Sequence, residues 1–103
     1  MNRLILSARL VERGTTRYTP AGLPALDLSL EHQSDVVEDR QPRKVALTLR
    51  AVAIGEITRV VAGLPLGQPA KYAGFLSDAR QGRGVIFHVT AVDAGSDVPT
   101  ASV

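Results

Sequence analysis

A chain of 103 residues, 45% of them hydrophobic, is long enough for one packed domain, short for two, and too apolar for wholesale disorder. The lack of cysteine excludes disulfides, thiolate metal sites and cysteine nucleophiles together. A net charge of +2 is only mildly basic, yet ten of the 12 basic residues are arginine, which pairs with phosphate through two bonds and stacks on bases. Such a count also arises from compositional bias alone, so where the arginines fall matters more than how many there are.

The first six residues, Met1 to Leu6, open like a signal peptide, but Arg9, Glu12 and Arg13 interrupt the apolar run at once. No stretch approaches the ~20 apolar residues of a membrane span. The expectation is a cytoplasmic protein with no membrane association. The first predicted element is a strand over Leu4–Val11, with Leu4, Leu6, Ala8 and Leu10 on one face. A loop follows that carries Arg13, Arg17 and Tyr18 and turns through Thr19-Pro20-Ala21-Gly22-Leu23-Pro24. The second strand, Leu23–Gln33, sets Leu26, Leu28, Leu30 and His32 against Asp27, Ser29, Glu31 and Gln33. That alternation marks a strand with one buried face.

The polar stretch Ser34–Pro42 reads as a surface loop. A third strand, Lys44–Ile54, alternates Val45, Leu47, Leu49 and Ala51 with Lys44, Ala46, Thr48 and Arg50. Between Gly55 and Gly63 the period changes: Ile57, Val60, Val61 and Leu64 follow helical spacing over about two turns. Two more strands, Gln68–Leu76 and Val85–Asp93, flank the loop Ser77–Gly84, which holds Arg80 and Arg83 among glycines. Gly74 fits a bulge where a small barrel curls. The tail Ala94–Val103 is small, polar and expected to be disordered, leaving residues 1–93 as the domain. The order β-β-β-α-β-β, all-β with one short helix between the third and fourth strands, predicts a five-stranded OB-fold barrel.

Small OB-folds bind single strands or oligosaccharides on the face of strands 2 and 3, flanked by the 1–2 and 4–5 loops. Basic residues fall in those regions: Arg13 and Arg17 beside Tyr18, then Arg43, Lys44 and Arg50 on strand 3, then Arg80 and Arg83. Such side chains track a phosphate backbone without reading bases. Aromatics are few. Tyr18 is the stacking candidate, or packs on Pro20, while Phe75 and Phe87 are expected in the core. His32 is expected as a partly buried strand-end residue, and His88 on a binding surface or a dimer interface. Two histidines so far apart, without cysteine, do not make a metal site. No nucleophile elbow, phosphate loop or carboxylate pair is present, so neither catalysis nor a cofactor is expected. Sugar binding would draw on Tyr18 and Tyr72 alone.

Three blocks carry a resemblance: Asn2-Arg3-Leu4-Ile5-Leu6-Ser7, Thr19-Pro20-Ala21-Gly22-Leu23-Pro24 and Leu30-Glu31-His32-Gln33-Ser34. In order and spacing they resemble the primosomal replication protein N (PriB) family, with Gly74-Phe75-Leu76-Ser77 and Ile86-Phe87-His88 in looser register. The resemblance spans roughly residues 2–97. It implies a homodimer related to single-stranded DNA-binding protein, which binds single-stranded DNA and stimulates a PriA-type helicase among other primosome proteins in replication restart. It places Arg17, Arg43, His88 and the basic loop with Arg80 and Arg83 at family DNA-contact positions. Departures are Pro42 and Ala46 at aromatic positions, Gln33 at a basic one, and a shorter 4–5 loop. Fewer cations release fewer counterions, so DNA binding is expected to be weak. The alternative is a protein-interaction module in which DNA binding is vestigial. The apolar edge Leu4–Val11 is the expected dimer contact.

Overall fold

The computed structural model describes residues 1–79 and 84–94. Six strands and one helix follow in the order β1 (Leu4–Arg13), β2 (Arg17–Tyr18), β3 (Pro24–Glu38), β4 (Gln41–Ile54), α1 (Ile57–Ala62), β5 (Pro69–Asp78) and β6 (Val85–Asp93). Neighbours run β1-β5-β6-β4-β3-β2, and a further β1–β3 pairing closes the sheet on itself. All contacts are antiparallel except the β4–β6 pair. Five long strands therefore form a closed barrel with a helix between β4 and β5, as the OB-fold expectation required. The two-residue β2 is an addition inside the predicted 1–2 loop. Among the described residues no helix is long and apolar enough to cross a membrane.

The alternating leucines do what their period dictates. Leu26, Leu28 and Leu30 of β3 are buried against Ala51 and Ala53 of β4, Leu10 of β1, Tyr72 of β5 and Phe87 and Val89 of β6. Val61, fully buried, inserts the helix into this cluster. Its neighbour Val60, read from the spacing as part of the same face, is instead 48% exposed. Burial raises the Tyr72 phenol above its usual pKa, and its hydroxyl has no hydrogen-bond partner among the described residues. An uncharged phenol in an apolar site is the less costly form.

Gly74 lies where the β5–β6 register shifts, between Ala73 and Gly74. A Cβ there would collide with the His88 carbonyl oxygen. The glycine is thus required by close strand approach at the bend.

The predicted loop Ser34–Pro42 is the main correction. It is the end of a long hairpin: β3 continues to Glu38, and β4 begins at Gln41. Pairing is continuous from Ala25↔Ile54 to Glu38↔Gln41. Asp39 and Arg40 make the two-residue turn, with φ of 50° and 67°. Left-handed conformations at both positions match the twist of the strands. Past His32 this ribbon leaves the barrel and both faces meet water, so no apolar alternation marks it. Cross-strand ion pairs hold it instead: Lys44 Nζ lies 3.4 Å from Asp35 Oδ1, and Arg43 Nε 2.6 Å from Glu38 Oε1. The expected tail from Ala94 onward lies, beyond that residue, outside the described residues.

Candidate nucleic-acid interface

Strand pairing brings distant residues into one row on the outer face of the barrel. Phe75 of β5 pairs with His88 of β6, His88 with Val52 of β4, and Val52 with Asp27 of β3. Arg17 of β2 completes the row through Asp27. Its Nε donates to Oδ2 at 2.8 Å and its Nη2 to Oδ1 at 2.9 Å. These bonds hold the Asp27 carboxyl below the usual carboxylate range, against the opposing effect of partial burial, with further attraction from the Arg17 and Arg50 charges. The same pair raises Arg17.

A groove of about 520 Å³ follows this row from His88 to Arg17, with Phe75 stacked on His88 outside its lining; the groove is lined by Arg17, Asp27, Arg50, Val52, Asp78, Ile86 and His88 together with Thr19, Pro20, Ile54 and Ala79. Its floor is mixed: Ile54 and Ile86 offer apolar contact beside the buried Val52, and the Arg50 side chain, whose charge acts on Asp27, has no hydrogen bond or ion pair with any described residue. Two guanidinium groups face two carboxylates, Asp27 and Asp78, so the described lining has no net formal charge.

His88 is held in place. Its Nε2 lies 3.0 Å from Ser77 Oγ, and its ring stacks on Phe75 with centroids 4.7 Å apart and planes within 7°. Phe75 is 39% exposed, which corrects its expected place in the core; Phe87 is fully buried as expected. Strand parity carried the signal for Phe75. It alternates with Gly74 and shares a face with Lys71, opposite the buried Tyr72. An exposed ring with a polar neighbour is a surface on which a base can stack.

The other expected contact residues divide. Arg13 is not part of the groove lining, and its Nη1 donates to the carbonyls of Val61 at 3.2 Å and Leu64 at 2.8 Å. It satisfies carbonyls at the end of α1, a structural task. Tyr18 is 69% exposed on β2, opposite Pro24 in register and outside the groove lining. Arg43 and Lys44 sit on the projecting hairpin, each paired with a carboxylate. Arg80 and Arg83 lie outside the described residues. Their loop is closed at its base by the Ala79 amide donating to the Gly84 carbonyl at 3.1 Å. Because Asp78 and Ala79 line the groove, that loop starts from its rim.

His32 is half-buried in the ribbon. Its Nδ1 is 2.6 Å from the Ser7 carbonyl oxygen and its Nε2 2.8 Å from Ser34 Oγ. It ties β3 to β1. Asp27 was missed as a site residue because alternation shows only that it points outward, not which cation meets it.

The fold and the sequence both have known relatives. Residues 2–91 match the family described as another single-strand binding protein family. The replication restart protein PriB of Bordetella pertussis is 53% identical over 81 residues, 79% of this chain and 76% of that protein. The solved structure of PriB from Ralstonia solanacearum superposes with a TM-score of 0.83 at 33% identity, covering 92% of this chain and 98% of that one. The single-stranded DNA binding protein of Thermus aquaticus gives 0.70 at 29% identity, covering 90% of this chain and 49% of that one.

Proposed function

The chain belongs to the PriB replication restart family of single-strand binding proteins, and on that premise we propose that it binds single-stranded DNA during replication restart through the groove of β3, β4 and β6. The observation that carries this reading is the row Phe75–His88–Val52–Asp27–Arg17. It sets a stacking surface, an apolar floor and guanidinium groups along one track, with Arg50 beside it. In this reading Arg50, His88 and the loop cations Arg80 and Arg83 contact the strand directly. Arg17 borders the track with its guanidinium bonded to Asp27, and Tyr18 stacks at the edge. Arg43 and Lys44 contribute weakly because their charges are already paired. The role is binding rather than catalysis, and it is cytoplasmic. A labelled oligonucleotide titration tests it: Arg50→Ala weakens binding several-fold, and an unchanged affinity would move the contact elsewhere.

The balanced charge of the groove favours a second part of the reading, in which the protein acts chiefly through protein partners, stimulating a PriA-type helicase within the primosome. Unwinding by that helicase is measured with and without the protein, on forks with and without an exposed single strand. Stimulation that depends wholly on the single strand would refute the protein-contact reading.

Homodimerisation fits the same proposal. Residues Leu4–Ala8 pair only with β5, since pairing with β3 begins at Arg9. Apart from the Ser7 carbonyl, which meets His32, that leaves an open strand edge in a segment where Ile5 is 55% exposed. Open edges pair with like edges. Light scattering at micromolar concentration gives twice the chain mass if this holds and the single-chain mass if it does not.

A further inference from the structure

Asp27 lines the groove that the proposed function assigns to a negatively charged strand. A carboxylate is an unfavourable neighbour for phosphate, and this one is also well placed to compete with it. Both of its oxygens accept from Arg17, in the two-bond geometry a phosphate would use. Both side chains are about half exposed, so the pair meets solvent and any ligand directly. We propose that Asp27 acts as a brake on strand binding: it withholds Arg17 from phosphate and lowers both the affinity and the salt dependence of the groove.

The inference rests on the single-strand reading of the groove. With Asp27 present, a phosphate that takes up Arg17 must either displace the carboxylate or use the N–H groups the pair leaves over, beside an uncancelled negative charge. With the charge removed, Arg17 and Arg50 stand together with only Asp78 opposing them. An exposed ion pair in this two-bond geometry is worth about 1 kcal/mol, the upper end for such pairs. Exchanging it for a phosphate contact therefore changes affinity by roughly five-fold. One further phosphate contact steepens the logarithmic salt slope on a single strand by about 0.7. Asp27 is thus a positioning residue for Arg17 rather than a contact residue for DNA.

The test compares wild type, Asp27→Asn, Asp27→Glu, Arg17→Ala with Asp27→Asn, and Arg50→Ala, all titrated with fluorescein-labelled oligothymidylate at several salt concentrations. Asp27→Asn is expected to bind about five-fold tighter with the steeper slope, Asp27→Glu to match wild type, and the double variant to lose the gain. Asp27→Ser serves as a second neutral variant should the asparagine perturb folding. Affinity and slope unchanged or reduced in both neutral variants would overturn the brake. So would a gain that persists in full without Arg17, because the carboxylate would then act by repulsion alone. Arg50→Ala shows what such a failure means. If it weakens binding, the groove still holds the strand and only the brake is lost; if it does not, the groove reading falls as well.

Discussion

The β3–β4 ribbon is one continuous ladder with two different halves. From Ala25 to Leu30, paired with Leu49 to Ile54, one face is packed into the barrel core. From Gln33 to Glu38, paired with Gln41 to Ala46, the same strands project into solvent. There Val37 is 74% exposed and Val36 about 40%. Backbone hydrogen bonding is shared, so the difference isolates what side chains add. In the inner half apolar burial fixes register; in the outer half exposed ion pairs and a two-residue turn do.

The largest expected effect sharpens that contrast. Leu30→Ala removes a fully buried side chain and is expected to cost about 2–5 kcal/mol in urea denaturation. Val37→Ala, one face over and several residues out, should stay within about 0.5 kcal/mol. Equal costs would break the comparison. Next comes Arg13→Ala, which leaves the carbonyls of Val61 and Leu64 without their charged donor. A loss of about 1–2 kcal/mol with single-strand affinity unchanged is expected. A fall in affinity at unchanged stability would return Arg13 to the DNA surface.

Arg40→Gly probes the turn. Arg40 holds a φ of 67° that glycine adopts freely. A gain of up to about 1 kcal/mol is expected, read from the denaturation midpoint. No gain would mean that the turn is less strained than its dihedral implies.

The smallest effects are electrostatic. Asp27 has a lowered pKa in the fold, so its contribution is present above the unfolded value of about 3.9 and is lost as pH falls through the lower folded one. With Asp27 about half exposed, screening keeps this small. Tyr72 has the opposite sign. Its raised pKa leaves its contribution intact below about 10, lost as pH rises through the higher folded value. Tyr72→Phe should therefore flatten the alkaline limb of the stability curve, and an unchanged limb would place the titration elsewhere.

The same contrast explains how much could be read from the chain. Leu26, Leu28 and Leu30 announce a strand because one face is buried. The helical spacing after Gly55 and the position of Gly74 were visible for the same reason, since packing imposes the period. Ser34–Pro42 has no buried face and hence no period, so a strand there looks like a loop. Arg13 looked like a loop cation because nothing local reveals that β1 runs through it or that its side chain turns to the end of a helix. Arg17, Arg50 and His88 lie on three separate strands and come together in one groove. The carboxylate that occupies Arg17 comes from a different strand, and such pairings depend on the closed fold.

The salt dependence of single-strand binding tests the central claim most directly. A groove with balanced charge predicts micromolar or weaker affinity near 0.15 M salt with a slope of no more than about 2. A nanomolar dissociation constant with a slope of about 4 or more would contradict it.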